Sequence, residues 1–346
     1  MKAAILTDIN KLEIRETPVP DCPAGGVLVN VRACGICSAD AKMVTEGHRS
    51  LVYPRILGHE IAGIVAESRI EIFKPGDRVQ VSPGLRCEKC RPCLKGSDNL
   101  CENRDIYGFT RDGGFSQFVP VPLKGPLKGA LHLLPENINF TDATLAEPLA
   151  CCINAQDNAN IRAGDVVMII GAGPLGLLHS FAARQKGAEK IILSEILPHR
   201  RDIGTRLFAD SVIDPTNPDL PERVMDATHD KGVDAIIFAC SQTGLNDTFM
   251  KLLAPGGRIS FFSGTSPLLA ESRLDSNFIH DNEISISGAY GCTADQNKQA
   301  IHLLASGQLP FDELITNRVV LEDIKKGFEH TKYRKGIKSV VEVQNG

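Results

Sequence analysis

Four cysteines stand close together between Cys87 and Cys101, in the stretch "CEKCRPCLKGSDNLC", spaced C-x2-C-x2-C-x7-C. Thiols so placed can form disulfides, hold an iron–sulfur cluster or make a tetrahedral metal site. The total of 11 cysteines is odd and singletons such as Cys22 and Cys240 are scattered, which argues against a disulfide framework. Cys87, Cys90 and Cys93 have the opening spacing of a ferredoxin, but the interval to Cys101 is longer and no proline follows it. Soft thiolates in a set of four suit Zn2+, and a closed all-cysteine shell leaves no position for substrate. Lys89, Arg91 and Lys95 partly offset the charge of four thiolates on one dication. The spacing predicts a structural zinc that staples a lobe and performs no chemistry.

A second constellation is glycine-rich. Gly171, Gly173 and Gly176, with Pro174 and Leu175 between them, spell "GAGPLG" directly after the apolar run "VVMII". A lone G-x-G-x-x-G often marks nothing more than a turn. Here an apolar strand precedes it, a helical pattern follows, and Glu195 ends the next strand 19 residues beyond Gly176. The first glycine permits a tight turn, the second lets backbone approach a pyrophosphate, and the third lets helix pack on strand. The helix N-terminus then faces the phosphates. Glu195 would accept from both ribose hydroxyls of NAD and repel the 2′-phosphate of NADP, while Arg200 and Arg201 stand where either could offer a phosphate contact.

Three further segments carry metal-type residues: "CGICSAD" with Cys34 and Cys37, "GHEIAGIV" with His59 and Glu60, and "LAEPLACC" with Glu147. Singly each has an ordinary reading, since a lone cysteine is usually a small core residue and a His–Glu pair a satisfied polar contact. Together, a thiolate, an imidazole and carboxylates converging on a cleft make an open zinc site with one position for water or substrate.

The elements that must position these residues differ along the chain. Up to about residue 150 short alternating runs are punctuated by Pro and Gly, as in "KAAILT", "GGVLVNVRACG" and "HEIAGIVAES", which suggests a barrel-like β domain. From Gly164 continuous apolar strands alternate with amphipathic helices, the pattern of a doubly wound parallel sheet. The closing strand "SVVEV" has no evident place in that sheet and is expected to return to the first domain. A net charge of −4 with no basic stripe excludes a nucleic-acid surface, and no apolar run reaches the length of a membrane span. The opening "MKAAILTDIN" has no secretory core or cleavage pattern, which predicts a cytoplasmic chain.

With these residues in view, the chain resembles the zinc-dependent medium-chain alcohol/polyol dehydrogenases, in the branch of sorbitol (L-iditol) and polyol-phosphate dehydrogenases. The resemblance runs through "CGIC", "LGHE", "KPGDRV", the four-cysteine lobe, "GGFSQFV", "AEPLACC", "GAGPLG" and "GIKSVVEV". It implies a GroES-like β-barrel catalytic domain over residues 1–153, a Rossmann NAD-binding domain over 154–290, and a segment 291–346 that returns to the catalytic domain. It implies two zinc ions per chain. Cys37 and His59 would bind the catalytic zinc, with Glu60 and Glu147 as third ligand or as holders of bound water, and Cys87, Cys90, Cys93 and Cys101 would bind the structural one. Gly171, Gly173, Pro174, Leu175, Gly176, Glu195 and Arg200 would hold NAD. A homodimer or homotetramer is also implied.

The chemistry so implied is transfer of hydride from a secondary alcohol of a polyol or polyol phosphate to NAD, giving the ketose. Arg49, Arg55 and Arg111 lie where an anionic head group could be read. The alternative within the family is an amino alcohol of the threonine type. From a different class, a non-catalytic NAD- and zinc-binding protein would show lost catalytic ligands, and all candidate ligands are present. One position departs from the family pattern. Relatives carry Ser or Thr two residues after the catalytic cysteine to pass a proton toward solvent, and this chain has Ala39, with Lys42 where a histidine is frequent. Ser38, read as part of an extended strand, would face away from Ala39. A water in the space left by the missing hydroxyl, or the substrate's own neighbouring hydroxyl, is then the expected relay, with Ser38 ranked last unless the segment is helical there.

Overall fold

The alternating run "GVLVNVRACGI" forms the strand Gly26–Ile36, buried along nearly its whole length on both faces. Such a strand must be covered on all sides, and in the computed structural model, which describes residues 1–122, 129–264 and 274–343, it is the hub of a seven-stranded sheet. It pairs antiparallel with Glu60–Ser68, Phe118–Pro122 and Lys338–Glu342. Two register shifts against Glu60–Ser68 mark where the strand bends. Outward from the hub the order is Glu60–Ser68, Arg78–Val81 and Leu131–Leu133 on one side, and Lys338–Glu342 and Ile315–Val320 on the other. A second sheet joins Lys2–Asp8 to Lys11–Glu16 and Arg55–Ile56. Between them lies one core that includes Leu6, Val29, Val31, Ile61, Val79 and Phe115.

The chain divides into two compact units, Met1–Ala150 with Cys292–Gly346, and Cys151–Gly291. The second unit is a six-stranded, wholly parallel sheet. Its order is Ser211–Ile213, Lys190–Ser194, Val166–Ile170, Val233–Phe238, Leu253–Phe261 and Ser285–Gly288. The chain reverses its direction of sheet growth between Val166–Ile170 and Val233–Phe238, and in such sheets ligands bind at the carboxyl ends of strands flanking that point. Met168, Ile192, Ile236 and Ile259 build the core beneath. The barrel-like β texture and the doubly wound sheet are the two architectures the sequence pattern predicts. Among the described residues no helix is long and apolar enough to cross a membrane.

Candidate active site

In the first unit, Cys37 Sγ, a ring nitrogen of His59 and a carboxylate oxygen of Glu60 lie within 4.8 Å of one another. Cys37 is the N-cap of the helix Ser38–Glu46 and accepts from Ala39 N–H at 3.5 Å. The sulfur therefore sits at the partly positive end of a helix. This corrects the extended reading of "CGICSAD": the strand ends at Ile36, and Ser38 and Ala39 form the first helical turn. The opposite-face argument against Ser38 falls with it, although Ser38 is itself exposed.

Asp40 completes the capping box by accepting from Cys37 N–H at 2.9 Å. Its other oxygen accepts from Gly58 N–H at 3.3 Å and stands 3.4 Å from His59 Nδ1, an ion-pair contact rather than an aligned hydrogen bond. Asp40 is fully buried, so one carboxylate fixes both the cysteine backbone and the imidazole. Burial works against a charged His59, but Asp40 and Cys37 beside it outweigh burial and raise its pKa well above the ordinary value. That preference for a cation on the ring is what a metal would satisfy in place of the proton.

Glu60 opens the strand Glu60–Ser68 and is 1% exposed. Both its oxygens approach Lys338 Nζ, at 2.6 and 2.5 Å. A side chain at Gly35 would place Cβ 1.8 Å from Glu60 Oε2, so the glycine of "CGIC" makes room for this carboxylate. Lys338 is buried in the closing strand; burial lowers its pKa, but Glu60, Cys37 and Glu147 together raise it. Glu147, in the helix Ala146–Asn158, thus acts on Lys338 electrostatically but lies outside the set formed by Cys37, His59 and Glu60. The constellation holds the carboxyl groups of Asp40, Glu60 and Glu147 and the thiol of Cys37 against the ammonium of Lys338. A dication fits that imbalance and this mixed soft and hard donor set.

The four-cysteine lobe is assembled as its spacing predicts. All four sulfurs lie within 4.8 Å of one another. Cys87 N–H donates to Cys101 Sγ and Cys90 N–H to Cys87 Sγ, both at 3.4 Å. Backbone donors from Lys89 and Cys90 lower the Cys87 thiol to about 6, whereas burial and the neighbouring thiols push Cys93 up to about 12. Four sulfurs so close resist common ionisation, and a bound dication removes that conflict.

In the second unit Gly171 has φ +103° and donates to Ser194 O at 2.7 Å, turning the chain from Val166–Ile170 into the helix Pro174–Gln185. A side chain at Gly176 would bring Cβ to 1.8 Å from Gly171 O, which fixes the third glycine by contact of helix with turn. Gly173 is the N-cap, with Pro174 and Leu175 opening the helix. The Glu195 carboxylate accepts from Ala172 N–H at 2.8 Å and from Leu197 N–H at 2.9 Å. Each oxygen keeps a lone pair for a further donor. Arg200 brings Nη1 to 3.1 Å from where a Gly173 Cβ would be, against the glycine turn. Arg201 is instead committed to Asp214 at 2.9 Å and to the carbonyls of Glu195 and Ile196.

Residues 23–130 match the family model of the alcohol dehydrogenase GroES-like domain, and residues 174–306 match the zinc-binding dehydrogenase model. The chain is 31% identical to sorbitol dehydrogenase of Bacillus subtilis (strain 168), over 95% of this chain and 93% of that one. The chain belongs to the zinc-dependent medium-chain alcohol dehydrogenase family. It is 30% identical to D-xylulose reductase A of Aspergillus oryzae, covering 97% of this chain and 95% of the relative. Among solved structures, one described as a zinc-binding dehydrogenase from Sinorhizobium meliloti 1021, bound to NADP, aligns with a TM-score of 0.89. It is 29% identical, with 99% of this chain and 98% of that one covered. This medium-chain dehydrogenase is accordingly an oxidoreductase whose cofactors are zinc and a nicotinamide dinucleotide.

Two residues in contact with this candidate ligand set escaped the reading of the sequence, Asp40 and Lys338. Asp40 had a usable signal, since Cys37-x-x-Asp40 is a capping box with cysteine in the serine position. Lys338 had none, because only the pairing of Lys338–Glu342 with Gly26–Ile36 brings it to Glu60. Of the arginines considered for an anionic group, Arg55 is paired with Asp112 and Arg111 with Asp105, each at 3.0 Å.

Proposed function

We propose that this dehydrogenase oxidises a secondary hydroxyl of an open-chain polyol with NAD, giving the ketose, and that Cys37, His59 and Glu60 hold the zinc that serves the reaction. The observation that carries the reading is the acid-rich surround of that triad. Asp40, Glu60 and Glu147 gather round one thiol, one imidazole and one lysine. With Asp40 given to backbone and ring and Glu60 to Lys338, Glu147 is the carboxylate proposed to accept from a hydroxyl adjacent to the reacting one. The relatives' names, sorbitol dehydrogenase and D-xylulose reductase, agree in substrate class.

Zinc, when bound, supplies Lewis acidity toward a hydroxyl oxygen, and NAD supplies the hydride acceptor. The protein's own residues position and protect. Asp40 orients the His59 ring and the Cys37 backbone, and Lys338 holds Glu60 in a buried pair. Ala39 carries no hydroxyl, so the proton leaves through a neighbouring hydroxyl of the substrate or a water. Glu195, with one lone pair left on each oxygen, accepts from the adenosine ribose and disfavours a 2′-phosphate, so NAD is the proposed partner despite the NADP of the Sinorhizobium structure. Cys87, Cys90, Cys93 and Cys101 hold the second, structural zinc.

Among the described residues the strand Ser285–Gly288 is the last of the parallel sheet, and Ile286 on it is 38% exposed. Pairing with a second copy there would give a homodimer, and a further interface between two such dimers the homotetramer. Eleven cysteines, all free, suit a reducing cytoplasmic setting. A panel of polyols, polyol phosphates and amino alcohols, followed by NADH absorbance, tests the reading. Turnover confined to amino alcohols would replace it with the threonine-type activity.

A further inference from the structure

His48 stands at the end of a chain of rings that begins at the metal triad. The His59 ring lies 5.4 Å from the Phe109 ring, centroid to centroid, and Phe109 meets His48 at the same distance edge to face. The two imidazoles are therefore at most about 11 Å apart, within the reach of a five- or six-carbon substrate bound at the triad. His48 is exposed; Ser50 N–H donates to its Nδ1 at 3.2 Å, and its ring meets Phe109 in a T-shaped contact. With Nδ1 accepting, the neutral ring carries its proton on Nε2, which leaves a fixed N–H donor without a protein acceptor among the described residues. Phe109 is the apolar ring in contact with both imidazoles. Arg49 follows directly and is exposed, whereas Arg55 and Arg111 are tied to aspartates.

We propose that His48 reads the far end of the substrate, donating from Nε2 to an oxygen three or four carbons beyond the reacting one, and so selects chain length. The inference rests on the polyol reading. The oxygen it recognises belongs to a free hydroxyl or to a phosphate ester, and Arg49 distinguishes the two, because a phosphate would engage the guanidinium as well.

The test is steady-state kinetics of His48→Ala, His48→Gln and Arg49→Ala on a pentitol, a hexitol, a hexitol phosphate and 2,3-butanediol. His48→Ala should raise KM for the long substrates about five- to tenfold, the worth of one neutral hydrogen bond, with kcat kept and 2,3-butanediol unaffected. His48→Gln, which keeps an N–H donor, should recover part of the loss. A loss in Arg49→Ala confined to the phosphate ester assigns the oxygen to phosphate, and no loss assigns it to a hydroxyl. Equal changes on long and short substrates would overturn the subsite while leaving the polyol activity standing. Absence of NADH from every polyol with the unmodified enzyme would overturn the polyol reading and the subsite together.

Discussion

Asp40 touches the backbone of Cys37, the backbone of Gly58 and the ring of His59, so a single buried carboxylate sets the relative position of two candidate ligands. Asp40→Asn keeps the volume but offers an amide where a charge was. Zinc affinity and kcat/KM should each fall about 10- to 100-fold, with the fold retained by circular dichroism. Unchanged zinc affinity in chelator competition would remove Asp40 from the site. Glu195→Ser takes away both the attraction for the ribose and the repulsion of a 2′-phosphate. The ratio of kcat/KM for NAD over NADP should drop at least about tenfold, and an unmodified enzyme that used both equally would contradict the role given to Glu195. Cys37, His59 and Glu60 were legible in the sequence because their side chains are metal-ligand types standing near glycines. Lys338 was not, since a lysine in "GIKSVVEV" looks like any surface cation until the closing strand is seen beside Gly35.

At the scale of elements, helix starts and glycine turns do the positioning. The period-2 and continuous apolar runs were enough to foresee a barrel-like β unit and a parallel sheet. The helix Ser38–Glu46 was missed because its nine residues carry few apolar positions and its cap is a cysteine. Gly176→Ala forces Cβ against the carbonyl of Gly171, a backbone atom that cannot swing aside. The helix must move off the turn, and we expect a stability loss of about 1–3 kcal/mol by denaturant titration together with weaker NAD binding. Normal NAD binding by the Gly176→Ala variant would separate the third glycine from the cofactor site. Cys101→Ser removes one ligand from a site whose metal is coupled to local folding, so thermal stability should fall while KM for the alcohol is unchanged. A selective loss of kcat with no loss of stability would contradict a purely structural lobe.

At the scale of the whole molecule, the two ligand sets differ in kind. The four cysteines form a closed shell, while the cysteine, histidine and glutamate triad is open and backed by a surplus of carboxylates. A closed and an open set of candidate ligands were distinguishable from residue types alone; which of Glu60 and Glu147 stands with Cys37 and His59 was not, because helix and strand must first be placed. The open site should release its metal first. The most direct test is polyol-dependent NADH formation followed against zinc content as a chelator strips the enzyme and zinc is then restored. The account predicts that activity vanishes as the content falls from two zinc ions per chain to one, with the fold intact, and returns when zinc is added. Full polyol turnover persisting in protein that retains only the zinc of Cys87, Cys90, Cys93 and Cys101 would contradict it.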